Sequence, residues 1–93
     1  MKEYELLYIV EADMADDKRE ALIEKVGAMI ASNGGETSEP EKWGVRKYAY
    51  PINYKNEGYY VLVNFKLAAD KIATLKNQLL ITEGVVRYMI VAK

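Results

Sequence analysis

Two aromatic, β-branched arms joined by a polar turn constrain this chain more than any other feature in it. The first runs Trp43-Gly44-Val45-Arg46-Lys47-Tyr48-Ala49-Tyr50-Pro51-Ile52, and the second Tyr59-Tyr60-Val61-Leu62-Val63-Asn64-Phe65. Asn53 to Gly58 lie between them. Such residues suit a pleated, half-buried surface, and two runs of them around a short polar segment predict a long β-hairpin. Pro51 is expected to close the first arm, because proline cannot donate to a central ladder. Five of the eight tyrosines lie between residues 48 and 60, just behind the basic pair Arg46-Lys47. Basic charge beside aromatics is the composition of a nucleic-acid surface, but also of an ordinary hairpin, so the rest of the chain must decide.

From the N-terminus, Glu3 to Val10 alternates Tyr4, Leu6, Tyr8 and Val10 against Glu5, Leu7 and Ile9. A period of two predicts a strand, and the apolar character of both faces predicts a central one. Glu11 to Asp17 reads as an acidic loop. Asp16, Asp17 and Glu20 then stand where a helix macrodipole favours negative charge. Leu22, Ile23, Val26, Met29 and Ile30 recur at helical spacing, and Asn33-Gly34-Gly35 stops that helix. The glycines follow a helix C-terminus, so they are not a phosphate cradle, which needs them ahead of an N-terminus. Glu36 to Tyr50 is the first hairpin arm. Its polar opening, with Pro40, fits an edge strand. Tyr59 to Leu67 is the second arm. Ile72, Leu75 and Leu79 mark a second amphipathic helix over Asp70 to Leu80, and Val85 to Ala92 alternates as a last strand.

The order is β-α-β-β-α-β. Right-handed crossovers then place both helices on one face of a four-stranded antiparallel sheet of order 4-1-3-2. This is an α+β, ferredoxin-like fold, and 93 residues are expected to form one such domain, 1–93.

Composition excludes several functions. Cysteine and histidine are absent, which removes disulfides, thiolate metal sites, the commonest transition-metal ligand and the usual general base. Ser32 and Ser38 have no base to activate them. Glu11, Asp13, Asp16 and Asp17 are acidic enough for a divalent cation but lack EF-hand spacing, and they read as an acidic helix start. No enzyme activity, cofactor, metal or small-molecule substrate is expected. Nor is a membrane span or a signal peptide, which fits a cytoplasmic protein. Charge is segregated: residues 1–41 carry eleven acids and four bases, net −7, whereas 42–93 carry three acids and nine bases, net +6. Either the basic half offers a surface to an anion, or folding mixes the two halves and the asymmetry is local.

The fold predicts which side chains are left over. Tyr4, Leu6, Tyr8, Val10, Val61, Val63, Phe65, Val86, Tyr88 and Ile90 are expected to face the helices. Leu7, Ile9, Tyr60, Leu62, Met89 and Val91 then form an apolar patch on the uncovered face, interrupted by Glu5, Asn64 and Arg87. A patch of this kind marks a partner-protein interface. Lys2, Arg46, Lys47, Arg87 and Lys93 lie at strand ends or on the last strand. Grouped around one rim they would serve phosphate contacts. The RNA-recognition motif shares this topology, but Glu57-Gly58-Tyr59-Tyr60-Val61-Leu62-Val63-Asn64 matches its third-strand pattern only at Gly58 and Tyr59, so base stacking on this sheet is not expected.

The stretch from Trp43 to Ile52 with Gly58-Tyr59-Tyr60, the opening Lys2-Glu3-Tyr4-Glu5 and the closing Val85-Val86-Arg87-Tyr88-Met89-Ile90-Val91 closely resemble the family of bacterial small-subunit ribosomal protein six. The resemblance runs from end to end, and its most specific part is Arg46-Lys47-Tyr48-Ala49-Tyr50-Pro51-Ile52. It implies a ferredoxin-like structural component of the ribosome. Such a protein binds the central domain, or platform, of small-subunit rRNA as a heterodimer with small-subunit ribosomal protein eighteen. On that resemblance Lys2, Arg46, Lys47, Arg87 and Lys93 would meet rRNA, with Tyr4 alongside, and the apolar second face would receive the partner. The competing expectation from the fold alone is a regulatory or ligand-binding module that pairs its sheets as a homodimer.

Overall fold

The computed structural model describes the backbone of residues 1–52 and 55–93 and the side chains of 1–47 and 57–93. The expected turn at Asn53 and Tyr54, and the side chains of Tyr48 and Tyr50, lie outside the described residues. The elements are β1 (Lys2–Glu11), α1 (Asp16–Ser32), β2 (Glu36–Thr37), β3 (Glu41–Ile52), β4 (Lys55–Leu67), α2 (Ile72–Leu80) and β5 (Val85–Ala92), with a 3-10 turn at Ala69–Lys71 leading into α2. The first hairpin arm is therefore two pieces, and it runs past Pro51 to Ile52.

All pairings are antiparallel. β1 is central, between β4 and β5. β2 pairs with the C-terminal end of β4, as Glu36 opposite Lys66, and β3 with its N-terminal part, as Glu41 opposite Leu62. β2 and β3 are one interrupted edge strand. Read so, the sheet has the expected order 4-1-3-2 and the fold is ferredoxin-like.

The core lies between the helices and one sheet face. Leu6, Tyr8, Val10, Val61, Val63, Phe65 and Leu67 meet Leu22, Ile23, Val26 and Ile30 of α1 and Leu75 and Leu79 of α2. Burial of this apolar surface is the main drive to fold, and the period of two in β1 and β4 delivers it directly. On β5 the period slips. A register shift opposite Ile9 and Val10 pairs Arg87 with Ile9 but Val85 with Val10. Val85, not the expected Val86, packs on the core, and Val86 is left half-exposed. A bulge inserts one residue and resets which side chains point inward.

The end of α1 explains its two glycines. Gly34 N–H bonds Ala31 C=O at 3.0 Å and Gly35 N–H bonds Ile30 C=O at 2.9 Å, a Schellman closure with Gly34 at φ +86°. Gly35 then passes so close to β4 that an added Cβ would lie 2.6 Å from the Lys66 carbonyl oxygen. Asn33 ties this corner to α2 by donating 2.9 Å bonds to Met29 C=O and to Gln78 Oε1.

Candidate partner and nucleic-acid interface

The uncovered sheet face is built in rungs set by strand register. One rung crosses β5-β1-β4-β3 as Arg87, Ile9, Tyr60, Gly44; the next as Met89, Leu7, Leu62, Glu41; the next as Val91, Glu5, Asn64. All six apolar residues expected on this face are there. Leu7, Ile9, Tyr60 and Leu62 are half-buried by their neighbours alone, and Met89 and Val91 are 55% and 46% exposed on the edge strand. The face is apolar in its middle, with Arg87 at one end and Glu5 and Asn64 toward the other.

One member of the face is absent from the expected set. Register shifts between Lys42 and Gly44, so Trp43 has no opposite residue on β4. Gly44 sits at φ +83°, the left-handed region that glycine reaches without a Cβ penalty. Trp43, two residues on from Glu41, stands on the open face at 44% exposure, where its ring lies nearly parallel to that of Tyr60: centroids 6.5 Å apart, planes 4° apart. Trp43, Tyr60 and Arg46 line a shallow recess of about 370 Å³. A glycine inside an otherwise strand-like run was the available signal of this bulge.

The cations do not share one rim. Lys2 pairs opposite Leu67, and the Lys93 N–H bonds Glu3 C=O, so both stand at the end of the sheet where β1 begins. Arg46 pairs opposite Gly58, which faces Glu11, so Arg46 and Lys47 stand at the other end with Arg87 nearby. Nine residues of strand separate the ends, about 30 Å at the usual rise. Strand direction forces the division, because Lys2 opens β1 and Arg46 lies level with its close. Among the described residues, Lys2, Arg46, Lys47 and Arg87 have no ion-pair partner, whereas Lys93 reaches Glu5 at 4.0 Å and Lys66 reaches Glu3 at 3.7 Å. Tyr4 is drawn out of this set. It is 8% exposed, on the helix side of the sheet, with its ring stacked 5.4 Å from Phe65. The period of two that makes it a core residue removes it from the surface.

The other charged cluster belongs to the helix layer. Lys42 donates to both carboxylate oxygens of Glu20, at 2.7 and 2.8 Å, and that hydrogen bonding holds the ammonium pKa above its ordinary value. Arg19 bonds Asp16 and lies 4.2 Å over the Tyr59 ring. Asp16 and Asp17 occupy the first turn of α1, as the macrodipole favours. These groups tie β3 and β4 to α1 and face away from the apolar rungs.

Fold and surface together define a ferredoxin-like α+β protein with an apolar sheet face outside its own core and cations at both ends of the sheet. The family model of ribosomal protein S6 matches residues 3–92, and the chain belongs to that family. It is 42% identical over 91 residues to small ribosomal subunit protein bS6 of Fusobacterium nucleatum, covering 98% of this chain and 97% of that one. It is 44% identical to bS6 of Clostridioides difficile over 98% of both chains. The crystal structure of 30S ribosomal protein S6 from Thermotoga maritima superposes with a TM-score of 0.92 at 28% identity, over 99% of this chain and 87% of that one. The family consists of structural ribosomal proteins, not enzymes.

Proposed function

We propose that this chain is a structural protein of the bacterial small ribosomal subunit, in the cytoplasm. It binds the central domain of small-subunit rRNA as a heterodimer with small-subunit ribosomal protein eighteen. The observation that carries the reading is the open face. Its middle rungs, Met89-Leu7-Leu62 and Ile9-Tyr60, leave apolar side chains half-exposed on a sheet whose other face is already filled by helices. A sheet that works alone solvates that face with polar residues, so an apolar one asks for a partner. Lys2, Arg46, Lys47, Arg87 and Lys93 supply phosphate contacts, at two separate stations rather than one. Contacts at both ends of a sheet fix orientation on an RNA while the face between them holds the protein partner.

The test is binding to a central-domain rRNA fragment, with and without protein eighteen, across a salt series. Tight binding that needs the partner and weakens as salt rises supports the reading. Absence of binding in both cases, with a stable homodimer in solution, overturns it in favour of a sheet-paired regulatory module.

A further inference from the structure

The recess of Trp43, Tyr60 and Arg46 takes one residue from each function assigned to the surface so far, Tyr60 from the apolar face and Arg46 from the phosphate contacts, and adds Trp43. It sits where the apolar rungs end and the Arg46-Lys47 station begins. Three features of it converge on one kind of ligand. The two rings are nearly parallel and stand on one face, which presents π-surface to a third planar ring. Trp43 stands out on that face at 44% exposure, and the bulge after it brings Arg46 to the same face. Arg46 lines the same recess with no ion-pair partner among the described residues, and Lys47 follows it. A flat ring joined to a phosphate fits an aromatic surface with a cation beside it.

We infer that Trp43 and Tyr60 form a stacking seat for one unpaired RNA base, whose neighbouring phosphate is held by Arg46. The inference rests on the proposal that the chain binds small-subunit rRNA. It gives the Arg46 end of the sheet a different task from the Lys2 and Lys93 end. The former would hold a base and its phosphate, and the latter phosphate alone. Stacking of this kind tolerates any base, because every base has a π-face.

Trp43 is the only tryptophan in the chain, so its emission reports on the seat directly. The experiment titrates the heterodimer with the central-domain rRNA fragment and follows tryptophan emission as a difference from the Trp43→Phe heterodimer. Fragment affinity is measured in parallel for wild type, Trp43→Phe and Trp43→Leu. The expected result is quenching that saturates with binding. Trp43→Leu should weaken affinity by about 5- to 150-fold, the span of one base–aromatic stack, and Trp43→Phe should stay within a few-fold of wild type. Thermal melts of the free variants check that the exposed substitution leaves the fold intact. If the fragment binds but emission does not change and Trp43→Leu binds as wild type does, the seat is wrong while the rRNA reading stands. If emission changes on adding protein eighteen alone and not again with RNA, the occupant is the partner protein and the inference falls. If no fragment binds any form, the failure lies in the proposed function itself.

Discussion

Tyr8 gives the sharpest test of the core's energetics. It is fully buried on the helix side of β1, between Val61 and Tyr88, and its hydroxyl has no hydrogen-bond partner among the described residues. A buried, unpaired hydroxyl forfeits its bonds to water, at a cost of about 1–3 kcal/mol. Tyr8→Phe removes that oxygen and keeps the ring. It should therefore leave stability unchanged or raise it by about 1 kcal/mol at neutral pH, against the usual rule that core substitutions destabilise. The pH dependence supplies an independent sign. Burial, and then the nearby Glu20 and Tyr59, push the Tyr8 phenol well above its ordinary value of 10.0. The unfolded chain ionises this group first, so it binds fewer protons than the native state above pH 10. Stability then falls as pH rises, by about 1.4 kcal/mol at pH 11 relative to neutral pH for this one group. Urea unfolding of wild type and Tyr8→Phe at pH 7 and pH 11 isolates it, since the other tyrosines are common to both. The variant's advantage should be larger at pH 11 than at pH 7 by about that amount. A variant that is less stable by more than about 1 kcal/mol at pH 7 would refute the reasoning, because the hydroxyl would then have a favourable partner.

Other outcomes follow from the same structure. Gly35→Ala drives a Cβ to 2.6 Å from the Lys66 carbonyl, 2.8 Å from Ile30 Cγ2 and 2.9 Å from Leu67 Cδ1. Backbone cannot yield there as a side-chain tip can, so the loss should be about 1–3 kcal/mol, read as a midpoint shift in denaturant. Gly34→Ala meets open space but keeps a φ of +86°, and should cost about 1–2 kcal/mol from the left-handed backbone alone. Met89→Glu and Val91→Glu, both exposed on the edge strand, should move stability by no more than about 0.5 kcal/mol yet lower affinity for protein eighteen at least tenfold in calorimetry. Arg46→Gln should lower the slope of log affinity for rRNA against log salt by about 0.7–0.9, and a slope that does not change would remove Arg46 from the phosphate contacts.

What could be read from the chain was whatever depended on period alone. Tyr4, Leu6, Tyr8 and Val10, with Val61, Val63 and Phe65, alternate without interruption, and each stands where alternation puts it. The six open-face residues follow for the same reason. Failures came wherever a residue was added to a strand or where position depended on strand direction. Val86 lost its inward place to Val85 because one extra residue inverts the parity beyond it. Trp43 lies in a run that alternation alone makes a regular arm, although the following Gly44 marks the bulge. The grouping of Lys2 with Arg46 failed because sequence shows that both lie near strand ends without showing that those ends are opposite. Tyr4 stands in both the expected core and the expected rRNA contacts, and its alternation with Leu6 and Tyr8 decides for the core.

The two bulges have a common consequence. The shift on β5 falls beside Ile9, the shift on β3 falls beside Tyr60, and Ile9 and Tyr60 are themselves opposite each other. Both edges of the sheet are therefore interrupted at the same rung, and a bulge locally increases strand twist. Below that rung the face is regular and apolar, through Leu7, Leu62 and Met89. At and beyond it stand Arg87 on one edge, and Trp43, Arg46 and Lys47 on the other. The boundary between the apolar face and the cationic end is thus set in the backbone, at the one level where both edge strands depart from alternation. Without the β3 bulge, alternation would set Trp43 opposite Tyr60 and Arg46 opposite Glu57, on the helix side of the sheet instead of the open face. Residues for a protein partner and for a nucleic acid can share one small sheet because the edges change direction between them.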